Sequence, residues 1–530
     1  MRQTRTRAVP VTAAVAMTAV LAGCTTTGST SGDPSGGDAA TATKIRTTID
    51  VPASFDPAKA LSLPDYQLAR NSYDTLVRKD DGGLVGGLVG GLATKWENTP
   101  TSATFTLRAD ATCADGTPIT PTVVKGSLDR YIDPKTAAPD LPTVFGPGNT
   151  VKVTADDAAR TVTITLARPW GDMVTGLSVA STGIVCPAGL KDLKALAAGK
   201  AKGSQSGPYL LEKSQSGVSY SYTLRREYKA WPAWRMKISG KVAATLEYLV
   251  SPDPTATGNL VTSGQLDIGK IDASGIPRFD GVGGHTVSVS RFSDFFLLFN
   301  ERPGTVFADV ATRRAVAQAV DRAAFTKVVS KDTGEPSTMF VQKDIPCNDP
   351  GSSFLVPTDK AAAAAVLKGK KIRLVGPQVV GPAGAGNQYI QEALRAAGAD
   401  VTLANVDVGA WVGTVFGKPD AWDLTVFADL NFLGSLANPL AHFVGPTVPE
   451  GGGNLGAVKN PVVDKAFAQG AEATTDKARC AAYQTAAKAL ISQVDAVPLV
   501  NDPFIYALRK GFSAQMLGGS LDDPILRITG

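Results

Sequence analysis

The sequence predicts an exported α/β protein of more than one domain. Three observations carry that expectation. Short segments alternate apolar with polar or β-branched residues at period two, the run 371–408 reads as strand, helix and strand, and about 500 of the 530 residues follow an N-terminal leader. That length exceeds what one hydrophobic core accommodates, so two or three domains are expected.

The leader comes first. Arg2, Arg5 and Arg7 precede an apolar run from about Ala8 to Leu21. The run is shorter than the roughly 20 residues a spanning helix needs, and it reads as a signal peptide. Ala22-Gly23 would serve an ordinary signal peptidase. Leu21-Ala22-Gly23-Cys24 also resembles the bacterial lipobox, in which the cysteine becomes the first mature residue and carries lipid on its sulfur. Residues 1–23 are therefore expected to be a lipoprotein signal peptide and Cys24 the lipidation site. Thr25 to about Thr43 holds almost nothing that packs in a core, so 24–43 is read as a flexible tether. No second apolar run approaches spanning length, and the body is expected to be soluble.

Composition bounds the partners. Charged residues make up 19% and hydrophobic residues 43%, the balance of a globular chain. The net charge is +5, and the three leader arginines account for much of it, so nucleic-acid binding is not expected. Without Cys24 the cysteines are Cys113, Cys186, Cys347 and Cys480, an even number in an exported chain. Two disulfides are expected, with three pairings open. No CxxC spacing occurs, and neither a metal nor a cofactor is expected.

Along the chain, 44–50, 104–109, 161–167 and 219–228 read as half-buried strands. "PTVVKGSLDRYI" (121–132) reads as a helix through Val124, Leu128 and Tyr131. "GGLVGGLVGGLA" (82–93) repeats a four-residue unit, but no GK[ST] follows to make a phosphate loop, so a surface loop is expected. In the second half, 371–377 and 401–408 read as strands flanking a helix that Gly398 ends. Helical spacing runs through 309–329, opened by Asp309, and again through 474–494. The tail from Pro498 returns to short strands, "PLV" and "FIYALR".

Catalytic signatures do not appear. His285 and His442 are the only histidines and stand in unrelated contexts, and neither HExxH nor GxSxG occurs. An enzyme is not expected. What the chain does carry is seven motifs in order: "SFDPAKALSLPDYQLARNSYDTLVRKDDGG" (54–83), "GLATKWE" (91–97), "TFTLRADATCADGTPITPTVVKGSLDR" (104–130), "GPYLL" (207–211), "LVTSGQLDIG" (260–269), "LLFNERPGTVFADVATRRAVAQAVDRAAF" (297–325) and "WDLTVFADL" (422–430). Together they resemble the peptide/nickel-type extracellular solute-binding proteins of bacterial ABC importers, solute-binding protein family 5, over nearly the whole mature chain.

The resemblance implies a two-lobed periplasmic-binding-protein-like fold with two hinge crossings. Lobe one would span 44–297, with an extra subdomain at about 75–205, lobe two 298–497, and 498–530 would return to complete lobe one. It implies a monomeric receptor, lipid-anchored at the extracytoplasmic face of the cell membrane, that passes a small solute to permease subunits of an ABC importer. A peptide or peptide-like solute is the expected ligand; a receptor that senses a non-peptide solute and a secreted lipoprotein enzyme on the same scaffold are the alternatives. Under the lobe assignment the disulfides pair as Cys113–Cys186 and Cys347–Cys480, since either crossed pairing would staple the lobes together.

In this family the loop after the first strand, the stretch after the YD-like motif and the returning hinge segment face the cleft. Here those supply Phe55 and Asp56, then Phe427, Asp429, Asn431 and Phe432, then Asn501. Each also has an ordinary role open to it: the phenylalanines in a core, Asp56 capping the turn before Pro57, Asn501 serving hinge backbone. The family's peptide binders carry a W-x-x-D-Y-like stretch where this chain has "FADLNFLGSLANP", without the tryptophan or the tyrosine and with Asp429 in a shifted register.

Overall fold

The period-two segments form strands at the expected places in the computed structural model, which describes residues 42–80, 87–251, 253–331, 333–349 and 351–530. The leader, Cys24 and nearly all of the tether lie outside the described residues. No helix among the described residues is long and apolar enough to cross a membrane.

Two sheets build the first half. β1 (Lys44–Ile49) pairs in parallel with β8 (Thr245–Val250), which continues antiparallel to β7 (Ser219–Leu224) and β6 (Tyr209–Gln215). An antiparallel sheet follows the order β2 (Ala93–Thr99), β3 (Ser102–Leu107), β5 (Thr161–Leu166) and β4 (Val151–Asp156). α1 (Leu63–Ser72) begins at a capping box of Ser62 and Asp65. α2 (Pro121–Ile132) matches its expected bounds: Thr120 accepts the Val123 amide, Pro121 opens the helix, and Val124, Leu128 and Tyr131 form its buried face. Burying each such side chain contributes about 1.5–3 kcal/mol.

The largest sheet dominates the second half. Its order is β9 (Ile268–Ile271), β14 (Ala496–Leu508), β10 (Thr286–Phe299), β13 (Leu424–Leu430), β11 (Lys371–Pro377) and β12 (Asp400–Val406), with Glu335–Pro336 also on β14. β11 and β12 are parallel, and α5 (Ala385–Ala396) connects them. β10 and β14 are long enough to serve both ends of the sheet: β14 pairs with β9 at one end, and β10 pairs with β13 at the other. Between those ends the β10–β14 register shifts at Arg291/Ser293, so Phe292 is the extra residue of a bulge. Pro503 sits at this irregularity, where a missing backbone donor costs least.

Three expectations are revised. The helix over 309–329 is two helices, α3 (Val310–Ala319) and α4 (Arg322–Ser330). Asp321 divides them, its side chain accepting the amides of Ala323 and Ala324 to start a new helix, which Val320's extended backbone permits. The tail is one strand from Ala496 to Leu508 instead of two, because both of its edges find partners in the large sheet. The glycine repeat is a surface loop neither by structure nor by burial where it is described. Leu88–Gly90 pairs with Val77–Lys79, and Leu92 and Ala93 are buried. Gly91 packs so closely on the Thr75 carbonyl that a Cβ would stand 2.3 Å from it.

Disulfides join Cys113 to Cys186 and Cys347 to Cys480, the pairing that the lobe assignment implies. α6 (Asp476–Ser492) carries Cys480. One apolar cluster runs from Tyr66, Tyr131, Phe145 and Trp170 into Phe296, Phe427, Phe443 and Phe467, joining the first half of the chain to the second. The Trp170 and Phe467 rings are 5.9 Å apart across that contact.

Candidate functional site

Strand alternation decides what each face of β10 and β13 carries. On β10, Phe295, Leu297 and Phe299 join Leu424 and Val426 of β13 in a core that includes α3, α4 and α5. The opposite face of the same strands carries Asp294, Phe296 and Leu298, and the register sets Asp294 against Asp429 and Phe296 against Phe427. The face is thus acidic at one end and aromatic beside it. Phe296 stacks on Phe427 at 5.2 Å, and Phe340, Phe443 and Trp411 complete the aromatic wall.

The acidic end is buried. Asp294 is 1% exposed and Asp429 3%. Asp294 Oδ1 accepts from Asn501 Nδ2 and, at 3.3 Å, from Gln342 Nε2. Its Oδ2 is buried and has no donor. Burial, and then the charge of Asp429, push the Asp294 carboxyl well above the ordinary carboxylate range. Asp429 takes one amide, Asn438 Nδ2, 3.2 Å from both of its oxygens, and His442 Nε2 lies 3.5 Å away. The imidazole also packs on Phe427, with ring centres 4.6 Å apart.

Beside this face, Tyr66 of α1 donates its hydroxyl to Asp140 at 2.9 Å. Burial raises Asp140 to about 6; hydrogen bonds from Ser181 and Tyr66 and the nearby His442 oppose the rise, and Asp429 adds to it. Tyr66 also packs on Phe432, with centroids 4.2 Å apart. Two polar contacts tie the loop after β13 to the first half of the chain: Ser435 Oγ donates to Asp172 at 2.9 Å, and Lys79 Nζ donates to the Leu433 carbonyl at 3.0 Å.

The structure brings Phe427, Asp429, Phe432 and Asn501 together here, Asn501 through its bond to Asp294. Asn431 stands next to them but braces its own turn, donating to the Ser435 carbonyl at 3.0 Å and accepting the Ser435 amide at 3.2 Å. Phe55 and Asp56 make other contacts. Phe55 packs edge-on to Tyr220 at 5.7 Å, against the sheet of β1. Asp56 accepts the Ala58 amide at 3.1 Å and pairs with Arg130. Sequence reasoning did not single out Tyr66, Asp140, Asp294, Gln342 or Asn438, and it named His442 only as a histidine without a catalytic context. A lone acid two residues before Phe296, at the period that faces the cleft, is the signal that could have found Asp294.

Chemically, the arrangement offers buried carboxylate acceptors with few donors of their own, flanked by rings. It suits a bound solute that brings N–H groups and apolar surface.

Residues 87–440 match the profile of the bacterial extracellular solute-binding proteins, family 5 (middle region). The chain belongs to this family. A family-5 fold accounts for the two lobes, and the protein is a solute-binding receptor for an ABC importer. Among solved structures, a substrate binding protein from Microbacterium hydrocarbonoxydans, crystallised with 4-hydroxybenzoate hydrazide, is 48% identical with a TM-score of 0.86, over 92% of this chain and 100% of that one. Protein XP55 of Streptomyces lividans is 25% identical over 97% of this chain and 94% of its own length. The periplasmic murein peptide-binding protein MppA of Escherichia coli is 42% identical, but over 18% of this chain and 17% of its own.

Proposed function

We propose that this family-5 receptor is a lipid-anchored monomer that closes its lobes on a small aromatic, peptide-like solute and presents it to the permease at the extracytoplasmic face of the membrane. Peptide-like has a specific sense here: an acyl group bonded to nitrogen that carries hydrogen. The observation that carries the reading is the face shared by β10 and β13, acidic at Asp294 and Asp429 and aromatic at Phe296 and Phe427. The hydrazide in the 48%-identical relative supports it, since that molecule joins a ring to an acyl nitrogen donor.

The hinge is β10 and β14. β14 pairs with β9 on one side of the boundary and with Glu335–Pro336 on the other, β10 runs along β14 and adds β13, and the bulge they share at Arg291/Ser293 lies a few residues before the boundary read from the sequence at 297/298. A solute contacting both lobes shifts the open–closed equilibrium by its differential affinity for the closed form.

Asp429→Asn is expected to weaken binding of 4-hydroxybenzoate hydrazide by about 2–4 kcal/mol in calorimetry, because a buried charged acceptor is lost. The melting temperature of the free protein should change little, since the substitution also removes repulsion from Asp294. Unchanged affinity would remove Asp429 from the site. The anchor has its own test: Cys24→Ser should leave the protein unprocessed or release it from the membrane fraction, and a variant that stays processed and membrane-bound contradicts lipidation at Cys24.

A further inference from the structure

We propose that the cavity between α1 and the hairpin at 516–521 is a binding site for an oxyanion, a phosphate or carboxylate group, received by Arg70, Arg78 and Gln67. The cavity shares Tyr66 and Phe432 with the surroundings of the β10–β13 face but takes no residue from either strand, so the site stands whatever binds at that face.

α1 and the strand after it supply the polar wall. Gln67 and Arg70 lie three residues apart on α1, a spacing that brings both side chains out on one side of the helix. Arg78 and Lys79 stand on Val77–Lys79, which pairs with Leu88–Gly90. Asp522 follows the hairpin, and Val179, Ala180, Leu517 and Leu521 close the cavity with apolar surface. Its volume is about 460 Å³ with the open mouth counted, at the low end of what holds a drug-sized ligand.

Charge in this cavity does not balance. Arg70, Arg78 and Lys79 line it with one carboxylate, Asp522. The Arg78 side chain, 3% exposed, pairs with Asp522 at 2.5 Å, and its guanidinium has no other acceptor among the described residues. Arg70 has no carboxylate partner: Nη1 donates to Thr75 Oγ1 at 3.3 Å and Nη2 to the Ser178 carbonyl at 2.7 Å. A guanidinium carries five N–H donors, so most of both forks is left to serve a ligand. The Gln67 side chain, in a residue 6% exposed, makes no hydrogen bond among the described residues. Lys79 is held by the Leu433 carbonyl and contributes its charge. Nearby acids are engaged elsewhere and do not line the cavity: Asp74 accepts from Tyr228, Asp523 from Tyr248 and Asp172 from Ser435. Burial, and then the charge of Arg78, lower Arg70 to about 9, with Asp522 and Asp74 acting against the fall. A bound anion stabilises a cation held in this way.

The donors also select the kind of anion. Guanidinium forks and an amide present directed N–H groups, which match the oxygens of a carboxylate or phosphate better than a spherical halide. The apolar wall lowers the local dielectric and strengthens the attraction. A cationic group would meet the excess of positive charge and be rejected.

Calorimetry on the full chain, with sodium phosphate and sodium chloride at equal ionic strength and no solute present, tests the site. The wild type should bind phosphate saturably at one site and should not bind chloride. Arg70→Gln should weaken phosphate binding roughly tenfold to hundredfold, the range for a hydrogen bond to a charged group, and Gln67→Leu about twofold to tenfold. The source of the oxyanion is read by comparing 4-carboxybenzoate hydrazide with 4-hydroxybenzoate hydrazide, the compound bound by the 48%-identical relative. If the oxyanion belongs to the solute, the carboxyl compound binds about tenfold more tightly than the hydroxyl compound and displaces phosphate. If it is a separate ion, phosphate and either hydrazide bind without competing. Both results support the site. Absence of saturable phosphate binding together with no preference for the carboxyl compound overturns it, and if 4-hydroxybenzoate hydrazide still binds, the proposed function stands without it. Phosphate affinity unchanged in both variants also overturns it. The wild-type titrations need neither variant, so a misfolded Arg70→Gln does not remove the test.

Discussion

Loss of either disulfide is expected to cost about 4–5 kcal/mol of stability, with the Cys347–Cys480 bridge the more costly. Each bridge removes loop-closure entropy from the unfolded chain, and that entropy grows with the closed loop. The sequence separations are 73 residues for Cys113–Cys186 and 133 for Cys347–Cys480. Paired Cys→Ala variants compared by urea denaturation should both shift to lower midpoints. The Cys347–Cys480 pair joins α6 to the 345–349 segment, so its loss should also expose that segment to proteolysis. Midpoints unchanged from the wild type would contradict the bridges.

A second large effect is expected at Arg313. This side chain of α3 is 6% exposed and serves several groups at once. It donates to the Val494 and Phe307 carbonyls, each at 2.9 Å, to Asp495 at 2.9 Å, and stands 3.1 Å from Glu301. Asn460 completes the network through Asp495 at 2.7 Å. Arg313→Met keeps much of the volume and leaves two buried acids without their cation, for an expected loss of about 3–5 kcal/mol.

The network also predicts a pH dependence. Burial, and then the charge of Asp495, raise Glu301 to about 8, with Arg313 acting against the rise. A carboxyl whose folded pKa lies above its unfolded one holds its proton in the native state while the unfolded state has lost it. Stability from this group is therefore greatest near the unfolded value and falls as pH rises toward 8. Urea midpoints of the wild type should fall between pH 5 and pH 8, and those of Arg313→Met should fall more steeply.

Much of the fold was legible because local periodicity and burial agree. α2, β1 and β11 fall where spacing predicts, and Asp309 caps α3 as expected. Misreadings arose where a side chain's local chemistry outweighs the pattern. Asp321 restarts a helix that apolar spacing alone would run through. Asp56 is no misreading: capping the turn before Pro57 is one of the roles the sequence leaves open to it, and it accepts a turn amide two residues on and pairs with Arg130. The glycine repeat lacks the signature of a phosphate loop, but its leucines and valine supply the inner side of a hairpin. In the site, Asp429 was legible as an acid isolated in an apolar run. Its partner Asp294 was not, because pairing across strands is a property of register, and register joins residues 135 positions apart that no single segment displays. His442 and Asp140 meet only when the lobes do, and no spacing within either lobe predicts that meeting.

On the proposed function, the lobes close on a small aromatic solute at the β10–β13 face. Hydrogen–deuterium exchange, measured with and without 4-hydroxybenzoate hydrazide, tests it most directly. Exchange should slow on both sides of the contact, in 424–443 and in 62–73 and 137–145, together with the bulge around 291–293. Binding that protects one lobe alone, or protects neither of these faces, would contradict it.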